Sequence, residues 1–202
     1  MLLIWGWRTR FKQLAEGVFH CPGCGADRHY AHKQARRWFT LFFLPLLPLK
    51  VLGRHVECQT CRRAYDERVL ELPTSAAVSE HLVAATLEAA VHVLRVDDTP
   101  AGRAAAVAAL SRVSGIAWGE DALAADIAGL DVSPLPARLR QLGDVMNEHG
   151  KEAFLTSVAT VAGSGGVLSG PAGQVLAGIA ADLGMTPAHA RGVIDQAFDP
   201  TR

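Results

Sequence analysis

Two pairs of cysteines constrain this chain more than any other feature of its sequence. Cys21 and Cys24 form one Cys-x-x-Cys turn, Cys58 and Cys61 form a second, and 33 residues lie between the turns. Two thiolates of such a turn converge on one ion, and two turns supply the four soft ligands that tetrahedral zinc prefers. We therefore predict one structural zinc ion bound by all four cysteines.

Other chemistry is open to the same cysteines. Iron in a rubredoxin-like site uses the same four thiolates, so the ligands alone barely separate it from zinc. Thiol redox chemistry is disfavoured because no βαβ pattern surrounds either pair. His20 and His55 neighbour the two turns, but four thiolates already close a structural site, so we expect both to lie beside the ion or at the surface.

The residue that follows each cysteine pair differs between the two turns. Gly25 follows the first pair, and glycine readily takes the positive φ that turns backbone N–H groups toward the sulfurs. Arg62 stands at the same place after the second pair. The second turn is therefore expected to be less favourable than the first.

Charge is unevenly divided although the chain as a whole is neutral. Residues 1–73 carry twelve Lys and Arg against six Asp and Glu, whereas residues 74–202 carry eight against fourteen. The basic part is expected to face an anionic partner or the acidic part. All four cysteines lie in the pairs, and the N-terminus lacks the basic-then-apolar order of a signal peptide, so we expect a reduced, cytoplasmic setting.

The segment before the first cysteine pair carries two local expectations. Residues 2–7 are apolar and rich in β-formers, which predicts a short buried strand, with an interfacial anchor as the alternative. Residues 8–20 have mixed character and are expected to hold one helical turn.

A basic stretch, residues 28–37, is followed directly by Trp38 and Phe39. Basic residues beside aromatic rings bind phosphates and stack on bases, so nucleic-acid binding by this stretch is one hypothesis. The simpler interpretation is a solvated strand edge beside a core aromatic.

Residues 38–49 form an apolar run of twelve residues without a charge. A spanning helix needs about twenty such residues, and Pro45 and Pro48 would break a helix this short. The run predicts a pair of short strands that pack under the zinc site. The alternative is a peripheral anchor on the inner face of the membrane, because basic residues flank it.

After Pro73 the apolar spacing changes from two residues to about 3.6, which predicts an all-α domain. Thr74 or Ser75 is available as the N-cap of the first helix. We predict a small β-rich zinc ribbon at 1–73 and an all-helical domain at 76–198, the fourth helix of which ends at Gly150. Seven helices are expected, around residues 83–94, 107–113, 123–130, 135–146, 154–161, 176–183 and 193–198.

The helical part contains a weak internal repeat. An offset of 69 residues places Gly115 over Gly184 and Leu110 over Ile179. Residues 92–98, an acidic turn after the first helix, and residues 183–192 resemble the TerB-like family of tellurite-resistance and stress-response domains. Residues 1–73, above all the run 37–48, look like the zinc ribbon that precedes such domains in some bacterial proteins.

This resemblance implies a helical fold, a link to stress response and a divalent-cation site in an acidic turn. Asp97 and Asp98 keep the carboxylates of that turn, but Arg103 lies near the place of the family's Glu. The second repeat has Gly165-Gly166 and Ala172 instead. Hard cations need several oxygen ligands, so the site is expected to be largely lost.

No pattern of nucleophile, base and oxyanion donor stands out in the sequence, so we expect a non-enzymatic protein without a small-molecule substrate. Protein partners are the first expectation. An anionic membrane and a nucleic acid are the alternatives.

Overall fold

The computed structural model describes residues 5–41, 44–163 and 168–198. The chain divides into two compact units, Met1–Val78 and Ser79–Arg202. This division falls inside the first helix, whereas the sequence places the boundary at Pro73. The domain limits 1–73 and 76–198 stay a prediction.

The first unit contains a four-stranded antiparallel sheet in which the strands are paired in chain order. Residues 8–20 belong to the first strand, so the helical turn predicted there is wrong; the partner strand pairs with them along their length except at a bulge after Gln13. The strands are β1 (Trp5–Cys21), β2 (Ala26–Leu41), β3 (Leu44–Cys58) and β4 (Ala64–Tyr65).

The hydrophobic core that the described residues of this unit form lies at the cysteine end of the sheet. Phe19 and Val56 are buried there beside two of the cysteines, and Tyr30 and Tyr65 meet Phe19 edge-on. A short 3₁₀ helix, Glu67–Glu71, covers this end with Val69. At ~3.3 Å per residue the sixteen residues of β2 extend for about 50 Å, so most of the sheet projects beyond this core.

The apolar run does not pack under the cysteine cluster. Tyr30 pairs with Cys58 at the cysteine end, whereas Leu41 pairs with Leu44 at the far end. Leu41 is eleven residues beyond Tyr30, which corresponds to about 36 Å of strand. The predicted strands are therefore present, but they are the distal ends of β2 and β3, because both strands continue through the prolines. Phe42 and Phe43 lie outside the described residues.

Seven α-helices follow in the described part of the chain, which confirms the predicted fold class. They are α1 (Ser75–Val96), α2 (Pro100–Ser114), α3 (Glu120–Gly129), α4 (Leu135–Val145), α5 (Glu148–Gly163), α6 (Gly170–Asp182) and α7 (Pro187–Ala197).

The fourth helix ends earlier than the sequence predicts. α4 stops at Val145 and α5 already begins at Glu148, so Gly150 lies inside α5 rather than at the end of α4. The Asn147 side chain accepts a 2.8 Å hydrogen bond from the Gly150 N–H and starts the new helix. Gly150 is therefore in the first turn of α5.

Leucines and alanines build the core of the helical unit. Nine leucines in the described part of this unit, including Leu110 and Leu155, are almost completely buried, and many buried alanines let helices approach closely. A Cβ on Gly143 of α4 would lie 2.6 Å from the carbonyl oxygen of Leu183. The small residues therefore determine how closely α4 and α6 pack.

The internal repeat has a structural counterpart. Gly115 and Gly184, which the offset superimposes, both end their helices in the left-handed region, with φ of 72° and 77°. Leu110 and Ile179 are both buried one turn earlier. The two copies thus share a helix, a glycine cap and a buried apolar position.

One stretch, Glu67–Val96, is long and apolar enough to cross a membrane when judged by length and composition alone. The core helix of a helical unit passes the same test, and 44% of its most apolar window is buried inside the protein. The stretch is therefore weak evidence for a membrane span.

Candidate metal centre

The four cysteines lie at the ends of paired strands, where two tight turns bring them together. Cys21 ends β1 and Cys58 ends β3, and each is followed by a turn that carries the second cysteine of its pair. The Gly25 N–H donates to the Cys21 carbonyl at 2.9 Å, and the Arg62 N–H donates to the Cys58 carbonyl at 2.9 Å. The two turns therefore share one backbone geometry.

The residue after each pair takes the left-handed conformation. Gly25 has φ of 63° and Arg62 has φ of 61°. Glycine takes this conformation without cost, whereas a residue with a Cβ does not. Arg62 is the one non-glycine residue with positive φ in the described part of the chain, so the second turn carries the strain that its sequence indicates.

The sulfur atoms are spaced as one metal ion requires. All four lie within 4.8 Å of one another, and the sulfurs of Cys21 and Cys61 are 3.8 Å apart. Four sulfurs at the usual Zn–S length of ~2.3 Å from a tetrahedral ion would be about 3.8 Å apart. Cys21 and Cys58 are buried, and Cys24 and Cys61 are half-buried.

Hydrogen bonds favour the thiolate form of Cys21. Burial raises the pKa of this thiol, but hydrogen bonds from the Tyr65 hydroxyl and from backbone N–H groups outweigh burial and bring the pKa to about 6. The Tyr65 oxygen lies 3.4 Å from the Cys21 sulfur and accepts a 3.1 Å hydrogen bond from the Gly23 N–H. The hydrogen bond to Cys21, with burial, raises the pKa of Tyr65 to about 12, so the phenol stays protonated and donates a hydrogen bond to the Cys21 sulfur.

The donor set fits one soft divalent ion held by four thiolates. This is the one group of three or more potential ligands that the described ranges, 5–41, 44–163 and 168–198, bring within reach of a single ion. Zinc and iron both accept four sulfurs, so the cluster defines a metal site without choosing between them.

Neither histidine beside the turns belongs to the cysteine group. His20 Nδ1 lies 3.3 Å from Asp27 Oδ1 and 3.3 Å from the Ser75 hydroxyl. The ring of His55 meets Phe11 edge-on at 5.6 Å. Both rings therefore have neighbours other than the sulfurs.

Asp27 has a role that no sequence signal reveals. Its Oδ1 accepts from the Ser75 N–H at 2.9 Å, and its Oδ2 accepts from the Ala76 N–H at 3.2 Å. The bond from Ser75 is the main reason that the pKa of Asp27 is lowered. Thr74, a predicted cap, also accepts from the Ala77 N–H. Asp27 is missed by pattern because it lies 48 residues from the helix that it caps.

The acidic turn after α1 is engaged by an arginine. Both carboxylate oxygens of Asp98 accept hydrogen bonds from Arg103, at 2.7 and 2.6 Å. This pairing lowers the pKa of Asp98 and uses the oxygens that a cation would need. A cation site at Asp97 and Asp98 stays a prediction, and Arg103 weighs against it.

The fold and the cysteine cluster together define a class: a four-cysteine metal-binding β-ribbon followed by a helical unit. Comparison of the chain with family models, with curated proteins and with solved structures finds no match.

Proposed function

We propose that this protein is a non-enzymatic, cytoplasmic interaction protein whose N-terminal sheet is held together by one structural zinc ion. The single observation behind the proposal is the cysteine cluster, with two sulfurs 3.8 Å apart and all four within 4.8 Å. A site closed by four thiolates has no open position for substrate or water, which favours a structural role over catalysis.

The position of the cluster supports the same role. Phe19 and Val56 are the large buried side chains near it, and they make a small core for a sheet with strands of 15 to 17 residues. Small domains with so little core commonly depend on a metal for folding. The ion would tie the ends of β1 and β3 and leave the rest of the sheet free to contact a partner.

We further propose that the helical unit is TerB-like and supplies a second surface for protein partners in a stress response. The matching left-handed caps at Gly115 and Gly184 support a repeated helical unit, since these two glycines are the positions that the internal repeat of 69 residues superimposes. The same proposal includes a link between this stress response and resistance to tellurite.

Metal analysis of the purified full chain tests the zinc proposal. We expect about one zinc per chain, because four thiolates bind a single ion. Changing Cys21→Ser and Cys58→Ser together should abolish binding and unfold the sheet. The matched control is Gln59→Ser with Thr60→Ser, which alters the second turn without touching a ligand. Iron in place of zinc, no metal, or zinc retained by the double cysteine variant would contradict the proposal.

A further inference from the structure

The distal half of the sheet carries cations without a single anion. Residues 5–13 and 34–56 contain seven Lys and Arg and no Asp or Glu. Lys33, at the border of this half, pairs with Glu57 at 2.8 Å. Seven exposed side chains form what we call the basic belt: Arg8, Arg10, Lys12, Arg36, Arg37, Lys50 and Arg54.

Strand register places several of these cations on one face of the sheet. Arg10 stands directly opposite Arg36, and Gln34 has Lys12 opposite on one side and Arg54 on the other. Residues opposite each other, and those two apart along a strand, share a face. Like charges directly opposite each other weaken strand pairing, so an anionic partner would relieve a repulsion built into the fold.

The opposite face of the same region carries large exposed apolar side chains, with Thr9 and Arg37 between their rows. Trp7, Phe39 and Leu47 lie side by side across three strands, and Phe11 follows two rows nearer to the cysteines. Trp7, Phe11 and Leu47 are each more than half exposed. Large apolar side chains that stand together in water mark a contact surface.

Trp7, Phe39 and Leu47, which we call the apolar row, lie at the distal edge of the basic belt, where Arg8 directly follows Trp7 and stands opposite Trp38. Phe39 is three residues past Arg36 on β2, which is about 10 Å of strand. Amphipathic segments that lie on membranes bury their apolar side chains about 5 to 10 Å into the boundary between headgroups and acyl chains. The belt therefore begins beside the apolar row at Arg8 and continues to Arg36 about 10 Å further back, which suits the boundary between the acyl chains and the headgroups of an anionic bilayer.

We propose that the distal half of the sheet docks on an anionic lipid bilayer, with the apolar row in the headgroup boundary and the basic belt on lipid phosphates and carboxylates. The inference rests on the proposed function, because the metal site holds the strands that carry this surface. It names the partner that the zinc proposal leaves open.

The arrangement favours a lipid surface over nucleic acid. Single-stranded nucleic acid needs aromatic rings and cations on one surface, so that bases stack while phosphates pair. Here the exposed rings of Trp7 and Phe11 share one face with a single cation of the belt that the register places there, Arg37. Five of the seven cations lie on the other face, beside the half-buried Trp38: Arg8, Arg10, Lys12, Arg36 and Arg54. The predicted nucleic-acid stretch, residues 28–37, is likewise split between the two faces because successive strand residues alternate.

Vesicle sedimentation of the zinc-loaded full chain tests the inference. We expect binding to vesicles of phosphatidylcholine with about 30% phosphatidylserine and little binding to phosphatidylcholine alone, because basic residues near an anionic surface attract it. Replacing Arg10→Gln and Arg36→Gln together should weaken binding roughly tenfold or more. Replacing Leu47→Gln should weaken binding to the same vesicles through the apolar row.

A matched control is Arg68→Gln with Arg191→Gln, which removes the same net charge from two exposed positions outside the belt. This control should bind vesicles as the unmodified protein does. Equal binding to both vesicle types, unchanged binding after the Arg10 and Arg36 replacements, or binding to RNA or DNA without vesicle binding would overturn the inference. Metal analysis of the same samples separates failure of the lipid proposal from failure of the zinc proposal. If the unmodified protein holds one zinc ion but does not bind anionic vesicles, only the lipid proposal is contradicted.

Discussion

The two Cys-x-x-Cys turns should respond in opposite directions when the glycine after the first pair is removed and a glycine is introduced after the second pair. Gly25 and Arg62 have φ within a few degrees of each other, at 63° and 61°. A Cβ on Gly25 would meet no atom within 4 Å, so replacement by alanine tests the backbone conformation alone. We expect Gly25→Ala to destabilise the first unit by about 1 kcal/mol, the cost of a left-handed non-glycine residue.

Arg62→Gly should have the opposite sign. Removing the left-handed strain should raise the free energy of unfolding by about 1 to 2 kcal/mol, whereas the greater conformational freedom of glycine in the unfolded chain should lower it by about 0.5 to 1 kcal/mol. The Arg62 side chain is 74% exposed and 3.5 Å from Glu57, a contact worth less than about 0.5 kcal/mol. We therefore expect a net gain of about 0.5 to 1 kcal/mol, and Arg62→Ala, which keeps a Cβ, should be nearly neutral.

Urea unfolding of the zinc-loaded full chain measures these effects. A Trp118→Phe background restricts fluorescence to the tryptophans of the first unit, which contains the other three. Free zinc must be held constant, because a ligand that binds only the folded state shifts its apparent stability. Equal stabilities for Arg62→Gly and Arg62→Ala, or a neutral Gly25→Ala, would refute the argument from backbone strain.

Two further predictions concern the helical unit, and its helical circular-dichroism signal during urea unfolding reports both. Gly143→Ala should destabilise this unit by about 2 kcal/mol, because the new Cβ would lie 2.6 Å from the Leu183 carbonyl oxygen. Gly178→Ala should stabilise it by about 0.5 kcal/mol, because a Cβ there meets nothing within 4 Å. Similar effects at both sites would contradict close packing at Gly143. The lowered pKa of Asp98 should add stability above the unfolded pKa of about 3.9, and this stability should disappear as pH falls through the lower folded pKa. Asp98→Asn should lower stability at pH 7 and reduce the loss on acidification below pH 4, and an unchanged pH profile would contradict the role of its arginine pair.

The metal cluster and the helices could be predicted from sequence because both depend on short-range patterns. A Cys-x-x-Cys turn sets the positions of its two ligands within a few residues, and two such turns commonly form one tetrahedral metal site. The ends of α2 likewise depend on residues next to them in the chain. The Thr99 side chain accepts a hydrogen bond from the Gly102 N–H at the start of α2, and Gly115 ends that helix in the left-handed region. Caps of this kind are visible in any sequence.

The long sheet was not predictable in the same way. Residues 8–20 have no strict alternation, and the bulge after Gln13 shifts their register against β2. Strand pairing in residues 8–20 joins residues that are far apart in the chain, such as Phe11 and Ala35. Such pairings outweigh the weak local preference that suggested a helical turn.

The sequence by itself determined a four-thiolate site, a basic N-terminal part and a helical C-terminal part, because ligand spacing, charge and helical period are properties of neighbouring residues. Only the tertiary structure decided where the cations and aromatic rings face. Arg10 and Arg36 meet on one side of the sheet and Trp7 and Phe39 on the other, since pairing register assigns each strand residue to a face and a shift of one residue would exchange them.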